Sequence, residues 1–177
     1  MNINVRGKAG ATTGTLTFDG ETLPCALGRS GIISNDRKKE GDGATPAGAW
    51  PLRYILYRPD RLSEPDTKLA RKPISKADGW CDAADDPLYN RPVELPYPAS
   101  AENLWREDEL YNICVVLGHN DDPVQPQKGS AIFFHVAKQE DAELCATEGC
   151  VALPQNQIIR ILKKCGPNTK MIIELSA

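Results

Sequence analysis

The sequence predicts a mainly β domain of antiparallel and mixed strands, with one short helix in its C-terminal half and a long irregular insertion. Three observations carry this expectation. Residues 1–57 alternate apolar and polar residues in short runs between Gly-rich turns; "YNICVVL" and "SAIFFHV" are strongly β-prone; and one segment alone, "PQNQIIRILKKCG", spaces its apolar residues as a helix does. With 177 residues, 41% of them hydrophobic, the chain can bury one sizeable core but hardly two, so a single domain over 1–177 is expected.

The elements follow in order. "TGTLTF", "ETLPCAL" and "AGAWPLRYILY" read as half-buried strands. Residues 58–110 gather many of the 14 prolines with dense charge and keep neither a helical nor a strand period for long. This stretch reads as an insertion on the surface of the same domain, since Trp80, Tyr89, Tyr97 and Trp105 are spaced through it and need burial. Long irregular loops in compact domains usually serve binding or line substrate grooves. From residue 111 the two β-prone runs follow. The helix presents Ile158, Ile159, Ile161 and Leu162 on one side and stops at Gly166, and "TKMIIELS" closes the chain as a strand.

Composition excludes several classes. A net charge of −3 gives no basic face for a phosphate backbone, so nucleic acid is not an expected partner. No run approaches the length of a membrane helix, and the opening "MNINVRGKAGATTGTLTF" has no apolar stretch of signal-peptide length. The six cysteines are scattered without the density of a disulfide-stapled scaffold and read as mostly reduced or buried thiols.

Cys150, in "ATEGCVALP", is the position of interest. A thiol attacks a carbonyl only as thiolate, so it needs a nearby base, and histidine suits that role. Of the two histidines, His135 ends the β-prone run "GSAIFFH", and "CVAL" can lie beside it as a neighbouring strand. Gly149 permits the close backbone approach that an oxyanion needs. By itself, however, Cys150 reads more readily as an inert buried thiol, and His135 as a satisfied strand residue. A zinc site from His135, Cys145 and Cys150 lacks a fourth ligand, so no metal is expected. His119, in "GHNDDP", reads as a loop residue with substrate contact as the alternative.

Taken together, "ATPAGAW", "GSAIFFH" and "TEGC" resemble the L,D-transpeptidase catalytic domain, also called the YkuD domain. Thr45, Pro46 and Gly48 match its Thr-Pro-x-Gly stretch, and His135 with Thr147, Gly149 and Cys150 match its His then Ser/Thr-x-Gly-Cys element. The likeness runs from about Gly28 to Leu175 and is closest to a subgroup with a long insertion before the catalytic strands.

The resemblance implies a cradle-like sandwich of sheets and no cofactor. It implies a peptidoglycan stem peptide or muropeptide as partner and a periplasmic or cell-envelope location, with a cytosolic or otherwise delivered form as the alternative. Cys150 would be the nucleophile, forming a thioester at the L-centre of a diamino acid, and His135 the base, oriented by a backbone carbonyl. Gly149 and the Cys150 backbone would stabilise the oxyanion, and Thr147 would orient the site. Release to a second stem's amine gives a crosslink; release to water gives carboxypeptidase or amidase activity. Two positions depart from the family pattern. Glu148 stands where His is common, and Ala152 stands where Arg or Asn is common, leaving a substrate-binding charge to be supplied elsewhere. Arg106 and Arg91 are the candidates for that charge, with Trp105 and Tyr89 as walls of the groove and His119 and Glu148 as further substrate contacts. Cys145 and Cys150, flanking a polar turn, could form a reversible disulfide.

Overall fold

The computed structural model describes residues 1–176. The N-terminal half contributes β1 (Ile3–Gly7), β2 (Thr13–Phe18), β3 (Glu21–Ala26), β4 (Ile32–Ile33), β5 (Thr45–Pro46) and β6 (Gly48–Tyr57). Residues 58–110 add β7 (Arg71–Pro73), β8 (Asp78–Cys81), β9 (Pro92–Glu94) and β10 (Ala101–Asn103). The remainder supplies β11 (Ile113–Leu117), β12 (Phe133–Val136), β13 (Gln139–Glu140), β14 (Glu143–Leu144), β15 (Val151–Leu153), α1 (Gln155–Leu162) and β16 (Lys170–Leu175).

Nine strands form one sheet in the order β11-β12-β15-β3-β2-β1-β16-β6-β7, and it closes because β6 also pairs with β11. All but β7 therefore belong to a ring with no free edge, a barrel-like cradle. The pairing is mixed, with β1–β16, β12–β15 and β6–β7 parallel. A parallel pair needs a long connection, and residues 137–150 provide it between β12 and β15. Within it, β13 and β14 form a hairpin whose turn residues, Asp141 and Ala142, both take positive φ.

The inner face holds the larger core, with Ile3, Leu16, Ile55, Val115, Phe134 and Val151 among its fully buried members. Ile158, Ile161 and Leu162 of α1 pack into the same core, while Ile159 is only partly buried. The helix stops at Leu162, short of Gly166, with Ile159 and Ile161 carbonyls accepting from the Lys163 and Lys164 N–H groups.

The outer face of β6, β11 and β12 is apolar as well, which explains why "ICVVL" has no alternation: all five residues of β11 are buried. Leu56, Cys114, Val116 and Phe133 point outward and are covered by Ile74, Trp80 and Leu104 of the insertion. Trp80 sets its ring edge-on to Phe133 at 5.1 Å. Residues 58–110 are otherwise largely irregular, apart from β7 and a small antiparallel sheet of order β10-β8-β9. The insertion thus roofs the barrel strand that carries His135.

Candidate active site

His135 lies on β12 opposite Ala152 of β15, and the period-2 alternation that sends Phe134 and Val136 inward sends His135 to the roofed outer face. Its Nδ1 stands 2.8 Å from the Val136 carbonyl oxygen. A carbonyl only accepts, so Nδ1 carries the proton of the neutral ring and Nε2 holds the lone pair. Tyr111 meets the ring edge-on at 5.4 Å. Burial lowers the imidazole to about 4, with the Val136 hydrogen bond acting in the opposite direction.

Cys150 is delivered by the "ATEG" turn. Backbone bonds from Thr147 N–H to the Leu27 carbonyl (2.9 Å) and from Arg29 N–H to the Thr147 carbonyl (2.8 Å) dock this turn beside the end of β3. Thr147 Oγ1 donates to the Cys150 carbonyl at 2.7 Å and accepts from Gly149 N–H at 3.1 Å. Thr45, from the "ATPAG" stretch, accepts from Gly28 N–H at 2.8 Å, and its hydroxyl also reaches the Cys150 carbonyl at 3.5 Å. Glycine is required where these segments meet: Gly149 has φ +135°, and a Cβ there would stand 2.9 Å from the Ala44 carbonyl oxygen. The separate motifs of the sequence are thus one hydrogen-bonded unit around the thiol.

The Cys150 Sγ accepts from Phe133 N–H and donates to the Ala131 carbonyl, each at 3.3 Å. Burial pushes the thiol up to about 12; the Phe133 hydrogen bond and the charge of Lys38 oppose this, while Glu102 and Glu148 add to it. Cys150 and His135 both line a cleft of about 460 Å³. Thiol and imidazole are therefore both neutral near pH 7.

The other anticipated residues divide. Thr147, Glu148, Arg106 and Cys145 line the same cleft. Glu148 turns its carboxylate outward, 80% exposed, to Arg29 at 2.8 Å, so it spoils the nucleophile less than its place in the sequence suggests. Gly149 does not have a free N–H for an oxyanion, because Thr147 Oγ1 takes it. The cleft is not lined by Tyr89, Arg91, Trp105 or His119. Tyr89 is buried with its hydroxyl on Glu40, Arg91 donates to the Asp121 carbonyl at 2.6 Å, and Trp105 lies under the Arg58 guanidinium at 3.7 Å. His119 is buried edge-on to Trp50 at 4.9 Å with Nε2 3.2 Å from Asn35 Oδ1. Each of these four has been drawn into structural packing. Ala152 is fully buried with Ala26 and Ala137.

Lys38, Glu102 and Tyr111 line the cleft without having been anticipated. Their sequence neighbours carry no sign of it, because pairing across β8 and β10 and the fold of the 35–43 loop bring them there. Among the described residues, all six cysteines are free and no three His, Cys, Asp or Glu side chains are placed to hold a metal ion. No helix is long and apolar enough to cross a membrane.

The family model of the L,D-transpeptidase catalytic domain, YkuD, matches residues 12–173. The chain belongs to the YkuD family. The match takes in β2 and β3 upstream of Gly28, residues 58–110 and nearly the whole barrel. No curated protein and no solved structure matches the chain.

Proposed function

We propose that the protein is a cysteine-dependent L,D-transpeptidase acting on peptidoglycan stem peptides of the cell envelope. The reading is carried by one observation: Cys150 and His135 share a cleft in which the His135 Nδ1 proton is held by the Val136 carbonyl, leaving Nε2 as the base. The substrate carbonyl at the L-centre of the diamino acid enters beside Sγ. As sulfur attacks carbon, the thiol proton passes to Nε2, and because both groups start neutral, proton transfer and attack proceed together. The Cys150 N–H is assigned to the developing oxyanion, Gly149 N–H being engaged by Thr147. Collapse expels the terminal residue as an amine, which takes the Nε2 proton and leaves a thioester. A second stem's amine or water then releases the acyl group and restores the thiol.

The test is incubation with purified tetrapeptide muropeptides, followed by mass spectrometry of the products. Crosslinked dimers support transpeptidation, and loss of the terminal residue alone makes the protein an L,D-carboxypeptidase on the same thioester. No turnover, together with no mass gain from a carbapenem, rules out Cys150 as nucleophile.

A further inference from the structure

The cleft is more acidic than its residues suggest. Its lining cations are each neutralised by a carboxylate outside the lining: Lys38 by Asp42 at 2.5 Å, Arg106 by Asp108 at 2.6 Å and Lys138 by Glu140 at 2.6 Å. Of the four lining carboxylates, Glu148 is paired with Arg29 and Glu40 accepts from the Tyr89 hydroxyl and the Gly41 N–H; Glu102 meets only Arg106, already engaged by Asp108, and Asp82 meets no cation among the described residues. Glu102 Oε1 accepts from Tyr111 OH at 2.7 Å and from Arg106 Nη1 at a long 3.5 Å; among the described residues, no side chain or backbone group donates to Oε2. Asp82 Oδ1 is buried with no hydrogen-bond partner. The ladder puts the two together, since Ala101 pairs with Cys81 and Glu102 with Trp80, making Asp82 the same-face diagonal neighbour of Glu102. Like charges in that relation repel, and an unpaired buried oxygen is costly, so a cation between them would relieve both.

We propose that Glu102, backed by Asp82, is the acceptor subsite, binding the primary ammonium group of the molecule that receives the acyl chain. This rests on the thioester mechanism above. Glu102 holds the ammonium at Oε2 while His135 Nε2, emptied when the first amine left, takes one of its protons. The nitrogen lone pair then attacks the thioester carbon, and the C–S bond breaks as the C–N bond forms. Of the three ammonium protons, one stays on the amide, one reaches Sγ by way of His135, and one goes to solvent. The same carboxylate pushes the Cys150 thiol upward, which hinders the first half-reaction, and burial pushes Glu102 itself upward, a shift that a bound cation reverses. The insertion thereby selects a charged amine over water.

The test compares two nucleophiles competing for the acyl-enzyme formed from a tetrapeptide muropeptide: Nα-acetyl-lysine amide, which is cationic, and hydroxylamine, which is neutral. In Glu102→Gln, which keeps an oxygen for Tyr111, the ratio of lysine product to hydroxylamine product should fall about tenfold or more relative to wild type. A general distortion lowers both products and leaves the ratio alone, so a ratio within about twofold of wild type overturns the proposal. A second arm uses wild-type protein only. Unreactive Nα-acetyl-Nε-trimethyl-lysine amide should inhibit lysine capture more strongly than neutral Nα-acetyl-norleucine amide, and equal inhibition overturns the proposal. Acyl-enzyme with an unchanged ratio removes this inference alone, whereas absence of any acyl-enzyme removes the thioester reading and this one with it.

Discussion

Burial holds the Cys150 thiol and the His135 imidazole neutral at rest, and alkylation kinetics can measure this. With the thiol at about 12 and the imidazole at about 4, the neutral pair persists across the whole range between. At pH 8 a thiol at about 12 is ionised in about one molecule in 10⁴, against about one in ten for the ordinary value of 9.0. Iodoacetamide reacts with the thiolate, so Cys150 should be modified about 1000-fold more slowly in the folded protein than in urea-unfolded chain at that pH. The rate should climb about tenfold per pH unit from pH 7 to pH 10 without a plateau. Peptide mapping separates the Cys150 adduct from that of the half-exposed Cys145. His135→Ala should leave the slope unchanged, because a neutral ring adds no charge. A plateau below about pH 9 would mean a resting thiolate–imidazolium pair and would refute the concerted first step.

Three further outcomes follow from the same geometry. Thr147→Ala removes both the hydroxyl that holds the Cys150 carbonyl and the acceptor of Gly149 N–H; turnover should fall about tenfold or more, and Thr147→Ser should recover most of it, as measured by dimer formation. Gly149→Ala forces a Cβ to within 2.9 Å of the Ala44 carbonyl oxygen at φ +135°, and thermal unfolding should show a loss of about 2 kcal/mol or more, with Cys150 displaced. His119 and His135 are both held at about 4, against 6.5 when unfolded. The unfolded chain therefore binds their protons first: stability is intact above about pH 6.5 and declines toward pH 4 by about 3 kcal/mol for each ring. Urea titrations near pH 5.5 should show about two protons taken up on unfolding, and fewer than one would contradict the buried neutral state.

The strands were legible because their signals are local. "TGTLTF" is β2 from end to end, "AGAWPLRYILY" contains β6, and the turn at Asp19 and Gly20, both at positive φ, joins β2 to β3. The closure of β6 onto β11 and the parallel match of β12 with β15 were not legible, since register between distant strands depends on which faces the rest of the chain covers. In the site, Cys150 and His135 could be paired because their neighbours match one family pattern, although the spacer between them is shorter than that pattern's. Arg91, Trp105, Tyr89 and His119 have suitable chemistry for a groove, but each is held by a partner of its own and none lines the cleft. Lys38 and Glu102 escaped notice for the opposite reason: a charge in a polar stretch gives no sign that the fold will bury it against the nucleophile.

The most direct test of the central claim is intact-protein mass spectrometry after brief exposure to a tetrapeptide muropeptide at low pH quench. Wild-type protein should carry the donor mass less its terminal residue, mapped by digestion to Cys150 and released by neutral hydroxylamine, and Cys150→Ala should carry none. An adduct on another residue, or turnover that persists in Cys150→Ala, would contradict the assignment.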